Sequence, residues 1–162
     1  MKTDKALFAA GCFWGVQFYF DQVPGVIKTT VGYTGGHTQN PTYEQVCSHT
    51  TGHAEALLIE FDSSKVSYET LLMQFFRMHD PTQLNRQGPD VDDSYRSAIF
   101  YFNNSQKDIA IEIKKQQATN FKEPIVTQIV PAGEFYKAEE YHQKFTEKTG
   151  RGMCHIPYAA VS

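Results

Sequence analysis

Cysteines at positions 12, 47 and 154 are the first residues in this chain able to do chemistry. Cys12 stands in Gly11-Cys12-Phe13-Trp14-Gly15, after a short apolar run and before residues with helical spacing. A thiol at the start of a helix meets unbonded backbone N–H groups and the positive end of the helix dipole, and both favour a thiolate. Glycines on either side let backbone approach a ligand closely. The competing reading is a small buried hydrophobe. Glu55 is the second candidate. It shares one face of an alternating run with His53, Leu57, Ile59 and Phe61. If that face is core, the carboxyl is desolvated, its pKa rises and it suits general acid work. If Glu55 lies at the strand end, it only decorates the sheet rim. Cys154 is the third, in a Gly-flanked, aperiodic tail. Such a cysteine suits a resolving thiol, which discharges a sulfenic acid formed elsewhere, or is a passive tail residue.

Two other chemistries use the same residues. Cys47, His49, His53 and Cys154 contain the right atoms for a small zinc-binding or interaction module, but their spacing follows no common zinc signature. A cysteine hydrolase at Cys12 needs a histidine partner, which spacing does not identify. Gly32-Tyr33-Thr34-Gly35-Gly36 lacks the Lys-Ser/Thr of a phosphate loop.

The elements that must position these groups follow from periodicity. Residues 6–10 read as a buried strand, and Trp14, Val16, Phe18 and Phe20 recur at helical spacing until Pro24-Gly25. That puts Cys12 at a strand-to-helix turn. Residues 26–33 suit a strand, and Gly35-Gly36 opens a loop running to about Gly52. Residues 53–61 form the alternating strand. Ser67 is a helix N-cap with Val66 and Leu71 as its staple, and Asp80-Pro81 stops the helix. Residues 81–94 are a loop, 95–102 a strand, and Ser105 with Asp108 caps a helix to about Thr119. Residues 125–130 read as a fifth strand and 137–148 as a last helix with Gly150 at its C′ position. This order predicts an α/β (α+β) two-layer plait: a ferredoxin-like split βαβ core on a mixed, largely antiparallel sheet, with an irregular C-terminal tail.

Composition sets the outer limits. A chain of 162 residues fits a single domain over 1–162, with residues 150–162 as the tail. At 41% hydrophobic and 20% charged it is not a disordered chain. Fifteen Lys and Arg against 18 Asp and Glu leave no electrostatic footprint for nucleic acid. No run approaches the ~20 apolar residues of a membrane span. The apolar run to Ala10 is too short for a signal h-region, and three cysteines make a poor disulfide scaffold, so a cytoplasmic protein with reduced thiols is expected. Without a coiled-coil pattern, a monomer is the simplest state. Aromatic content is 14%, with 12 Phe, 9 Tyr and 1 Trp. Phe18, Phe75, Phe76, Phe100 and Phe102 are assigned to the core.

Six blocks together resemble the A-type peptide methionine sulfoxide reductases. They begin with Gly11-Cys12-Phe13-Trp14-Gly15, then Gly32-Tyr33-Thr34-Gly35-Gly36 with Asn40-Pro41-Thr42-Tyr43, and Thr51-Gly52-His53-Ala54-Glu55-Ala56. His79-Asp80-Pro81-Thr82, Arg86-Gln87-Gly88-Pro89-Asp90 with Tyr95-Arg96-Ser97, and Phe135-Tyr136 with Ala138-Glu139-Glu140-Tyr141-His142 follow in order. The resemblance implies that Cys12 attacks the sulfoxide sulfur and that Phe13 and Trp14 form the pocket for the S-methyl group. It implies that Glu55 protonates the sulfoxide oxygen, that Tyr43 and Tyr95 donate hydrogen bonds to it, and that Asp90 holds substrate backbone or local water. Cys154 would then form a disulfide with Cys12, to be reduced by thioredoxin or another dithiol, with no bound cofactor and no metal. The implied substrates are oxidised proteins and free methionine S-sulfoxide. Three departures stand out, one being that Gly152-Met153-Cys154-His155 is a loose match to the family's glycine-rich context for that cysteine. Val91-Asp92-Asp93-Ser94-Tyr95 adds two acids near the site, and Cys154 is the tail's sole cysteine. Cys47 is read as structural.

Overall fold

The computed structural model describes residues 2–48, 50–87 and 90–149. The elements run β1 (Thr3–Ala10), α1 (Phe13–Asp21), β2 (Val26–Thr34), α2 (Tyr43–Cys47), β3 (Ala54–Asp62) and α3 (Tyr68–Met78). A short hairpin, β4 (Arg86–Gln87) with β5 (Asp90–Val91), leads to β6 (Ser97–Tyr101) and α4 (Asn104–Gln117). β7 (Gln128–Pro131), β8 (Phe135–Lys137) and α5 (Phe145–Thr149) complete the described fold.

Six strands form one sheet in the order β7-β6-β1-β3-β2-β8. The inner four pair antiparallel and come from two interleaved units, β1-α1-β2 and β3-α3-β6. That is the split βαβ plait the sequence predicts. β7 adds parallel to β6, and β8 adds antiparallel to β2. The alternation of each strand divides the apolar residues between two clusters. Phe8, Val31, Tyr33, Leu57 and Ile59 meet the faces of α1 and α3 on one side. Leu7, Ala9, Ala56, Ala98 and Phe100 form a smaller cluster on the other. Glu55 belongs by parity to the helix-covered side, as its alternation with Leu57, Ile59 and Phe61 requires.

Local signals set the boundaries. Ser67 caps α3 by accepting the Thr70 N–H at 3.1 Å, with Val66 and Leu71 buried at the staple positions. Several expectations need correction. The segment read as a loop over 35–52 contains α2, nucleated by a capping box. The Thr42 hydroxyl accepts the Gln45 N–H, and the Gln45 side chain accepts the Thr42 N–H. Asn103, not Ser105, caps α4. The strand expected from Tyr95 starts at Ser97, because Tyr95 closes a 3-10 turn over Asp93–Tyr95. The strand expected over 125–130 is shifted to Gln128–Pro131. The helix expected over 137–148 does not form as one unit. Residue 137 ends β8, a 3-10 turn covers Glu140–His142, and Lys144 takes a positive φ of 59° that separates the turn from α5. Phe75, Phe76 and Phe100 are fully buried, Phe18 is half-buried and Phe102 is 46% exposed, so the core assignment fails for Phe102. Among the described residues, no helix is long and apolar enough to cross a membrane.

Candidate active site

Cys12 is the N-cap residue of α1. β1 ends at Ala10, and Gly11 turns the chain at a φ of 97°, a conformation that costs glycine nothing and a side-chain residue a good deal. Cys12 is only 9% exposed, and it is in no disulfide among the described residues. The next residue delivers the link to the acid. The Phe13 N–H, first of the helix, donates to Glu55 Oε1 at 3.2 Å. Glu55 is 1% exposed, in the register pair Tyr33↔Glu55 between β2 and β3. Two elements far apart in sequence thus bring a buried carboxyl to the helix start that carries the thiol.

An aromatic cluster surrounds this point. The Phe13 ring lies 6.4 Å from that of Tyr43 and 5.3 Å from the His142 ring. Trp14 lies 6.2 Å from Tyr43 and stacks on Phe145 at 4.0 Å and 21°. Its indole N–H donates to His142 Nδ1 at 2.8 Å. Tyr43 is the first residue of α2, so the capping box at Thr42 also aims Tyr43. Burial holds the Tyr43 phenol far above its ordinary pKa, and the charge of Glu55 pushes it the same way. It stays protonated as a hydrogen-bond donor. Its hydroxyl also bonds the Cys47 thiol one turn on, and Tyr95 lies close enough to oppose its ionisation. Burial pushes the Cys47 thiol up, away from thiolate.

Phe13, Trp14, Tyr43 and Glu55 therefore meet at the helix start that Cys12 caps, with Tyr95 near Tyr43. Asp90 pairs through its backbone with Gln87 in the β4–β5 hairpin. Cys154 and His49 lie outside the described residues. The zinc reading loses a ligand, because both ring nitrogens of His53 are engaged. Nδ1 accepts the Gly36 N–H at 3.0 Å, and Nε2 bonds the Thr38 carbonyl at 2.6 Å. Among the described residues, no group of three His, Cys, Asp or Glu side chains could hold a metal. A cavity of about 570 Å³ lined by Arg77, Asp80, Gln87, Phe121 and Lys122 shares no residue with the cluster.

Two residues were not singled out from the sequence, though both stand in a block that carries the family resemblance. Glu139 accepts the Tyr33 hydroxyl at 2.9 Å and the Tyr43 N–H at 3.0 Å. Burial pushes this carboxyl up, but those two donors and His142 outweigh it and hold the pKa below the usual value. His142 is fully buried, and burial lowers its pKa against the pull of Glu139.

Comparison with known proteins places the chain in a family. Residues 4–162 match the family model described as peptide methionine sulfoxide reductase. The chain is 58% identical over 149 residues to peptide methionine sulfoxide reductase MsrA of Methanosarcina acetivorans, covering 91% of this chain and 79% of the relative. The reduced form of Mxr1 from Saccharomyces cerevisiae superposes with a TM-score of 0.91 at 32% identity, over 97% of this chain and 91% of that one. Mxr1 in complex with Trx2 superposes with a TM-score of 0.65 at 25% identity, over 89% and 85%. This chain belongs to the peptide methionine sulfoxide reductase family.

Proposed function

We propose that this methionine sulfoxide reductase works through Cys12 as nucleophile and Glu55 as proton donor. The observation that carries the assignment is the 3.2 Å bond from the Phe13 N–H to Glu55, which couples the acid to the helix start that holds the thiol. A sulfoxide is neutral and its oxygen leaves poorly. Protonation of that oxygen makes sulfur electrophilic, so acid and thiolate must reach one group together. Phe13 and Trp14 wall the pocket for the S-methyl group. Tyr43 and Tyr95 donate to the oxygen without adding a charge. Asp90 holds the substrate backbone or the local water.

The oxygen passes to Cys12, which becomes a sulfenic acid while the substrate leaves as a thioether. Cys154 attacks that sulfenic acid, expels water and forms a Cys12–Cys154 disulfide. An external dithiol, a thioredoxin, takes up the disulfide and returns two thiols. The solved complex of Mxr1 with Trx2 supports this partner. Cys12 and Cys47, in no disulfide among the described residues, suit the reducing cytoplasm. No cofactor is required by this scheme.

Mass spectrometry of the reduced protein mixed with methionine sulfoxide tests it. The expected product is lighter by a pair of hydrogens, with a Cys12–Cys154 crosslink in the digest. Cys154→Ser should complete one turnover and then stall with thioredoxin. Sustained thioredoxin-dependent turnover by Cys154→Ser would move the resolving role to another thiol.

A further inference from the structure

The segment between β8 and α5 is fastened to β2, α1 and α2 by residues other than His142. The Gln143 side chain accepts the Val31 N–H and donates to the Val31 carbonyl, both at 3.0 Å. The Lys144 N–H donates to Gln17 Oε1 at 2.6 Å, and its ammonium pairs with Asp21 at 2.6 Å. Glu139 ties the same segment to Tyr33 and Tyr43. Among the described residues His142 adds a single side-chain hydrogen bond, and it goes to Trp14.

That bond fixes the tautomer. Nδ1 accepts, so the proton of a neutral ring sits on Nε2. Nε2 is buried, with no hydrogen-bond partner among the described residues. A phenylalanine of similar shape would fill the site without that cost, so the placement of an imidazole calls for a reason. The ring centroid lies 5.3 Å from Phe13, 5.6 Å from Trp14 and 4.4 Å from Tyr43. What the imidazole adds over a phenyl ring is an acceptor for the indole N–H. Phe145 holds one face of that indole, and the hydrogen bond holds its edge. Together they leave one orientation.

We propose that His142 is a positioning residue for the substrate: by accepting the Trp14 indole N–H it locks the indole plane, and so sets how closely the pocket closes on the S-methyl group. This rests on the reading of Trp14 as a wall of that pocket. It places His142 in substrate binding rather than in the bond-making of Cys12 and Glu55. The signature is therefore a change in KM with little change in kcat.

Trp14 is the only tryptophan, so its indole N–H gives one resonance in a nitrogen–proton correlation spectrum. His142→Phe keeps the ring and removes the acceptor. His142→Asn offers an amide oxygen near the place of Nδ1. With His142→Phe the indole resonance is expected to move upfield, and KM for methionine sulfoxide to rise about fivefold, the worth of one hydrogen bond. With His142→Asn both should return toward the unsubstituted protein, and this variant carries the test if His142→Phe does not fold. A resonance that moves while KM stays fixed, or one that does not move at all, would overturn the proposal. A fall in kcat equal to the rise in KM would also overturn it. Absence of reductase activity in the unsubstituted protein would instead overturn the functional reading, and this inference with it, whatever the resonance does.

Discussion

Two parts of the molecule hold the aromatic cluster from opposite sides, and they are built in opposite ways. On one side, the turn from β1 into α1 is local. A buried strand ends, Gly11 supplies a positive φ, Cys12 caps the helix and Phe13-Trp14 follow at once. On the other, the strap from β8 to α5 is held at long range. Glu139 bonds residues 106 and 96 positions away, and His142 bonds one 128 positions away. Its backbone is a strand end, a 3-10 turn and a left-handed residue rather than a regular element. The difference separates two tasks. The reactive thiol sits where short-range geometry fixes the backbone, and Glu55 reaches it from the paired strand β3. The groups that aim them come from a segment that has little conformation of its own.

The largest expected effect falls on the local side. Cys12→Ser should abolish sulfoxide reduction. Serine is a favoured N-cap, and the native thiol makes no cap hydrogen bond. The variant should therefore melt at the same temperature or slightly higher, by up to about 1 kcal/mol of stability. A reductase assay beside a thermal melt checks both halves. Residual turnover would remove Cys12 from the nucleophile's role. Next comes Glu55→Gln, which keeps an acceptor for the Phe13 N–H but has no acidic proton. The rate of sulfoxide reduction should fall by about 10²–10⁴-fold, the usual worth of a general acid. Single-turnover kinetics isolate that step, and an unchanged rate would leave Glu55 a merely structural carboxyl.

Substitutions in the strap should act on stability before chemistry. Gln143→Leu leaves the Val31 N–H without its side-chain partner, takes one of two donors from the Val31 carbonyl, which keeps the Ala138 N–H, and also loses a 3.1 Å bond to the Ala138 carbonyl. Buried groups stripped in this way cost about 1–3 kcal/mol. Denaturant unfolding should show that loss. The protein that remains folded should react at sulfur as fast as before in a single turnover. A collapse of the chemical step at unchanged stability would erase the distinction between the two sides.

The same distinction explains what was legible in the sequence. The plait follows from β and α periodicities that packing then confirms, whereas a helix start and an alternating strand face mark Cys12 and Glu55 only as candidates, whose roles come from the family resemblance. The aromatic composition was only partly informative, since it could not separate Phe102 at the surface from Phe100 in the core. α2 was hidden because its five residues are too few for a periodicity, although Thr42 and Gln45 spell its capping box. The strap resembles a helix in sequence for the opposite reason. Its residues have helical spacing, but side chains such as Glu139, His142 and Gln143 gain more from distant partners than a helix would return. Lys144 then breaks the run at a positive φ that no local propensity favours in lysine.

The smallest effect sharpens the comparison through pH. Glu139 is ionised in the fold because the Tyr43 N–H and the Tyr33 hydroxyl both donate to it, and its pKa lies below the ordinary glutamate value of 4.5. The folded chain therefore resists protonation there more than the unfolded chain does. The stability this contributes is complete above the ordinary value and is lost as pH falls through the lowered one. The carboxylate is only partly buried, so the contribution should stay below about 1 kcal/mol. Glu139→Gln should melt slightly below the unsubstituted protein near pH 7, and the gap should narrow as the pH drops under 4.5. The β1–α1 turn gives no such dependence through this carboxylate, since Glu139 touches β2 and α2 rather than Cys12. A gap that persists unchanged into acid would mean that the strap is held at this point by packing and not by the charge.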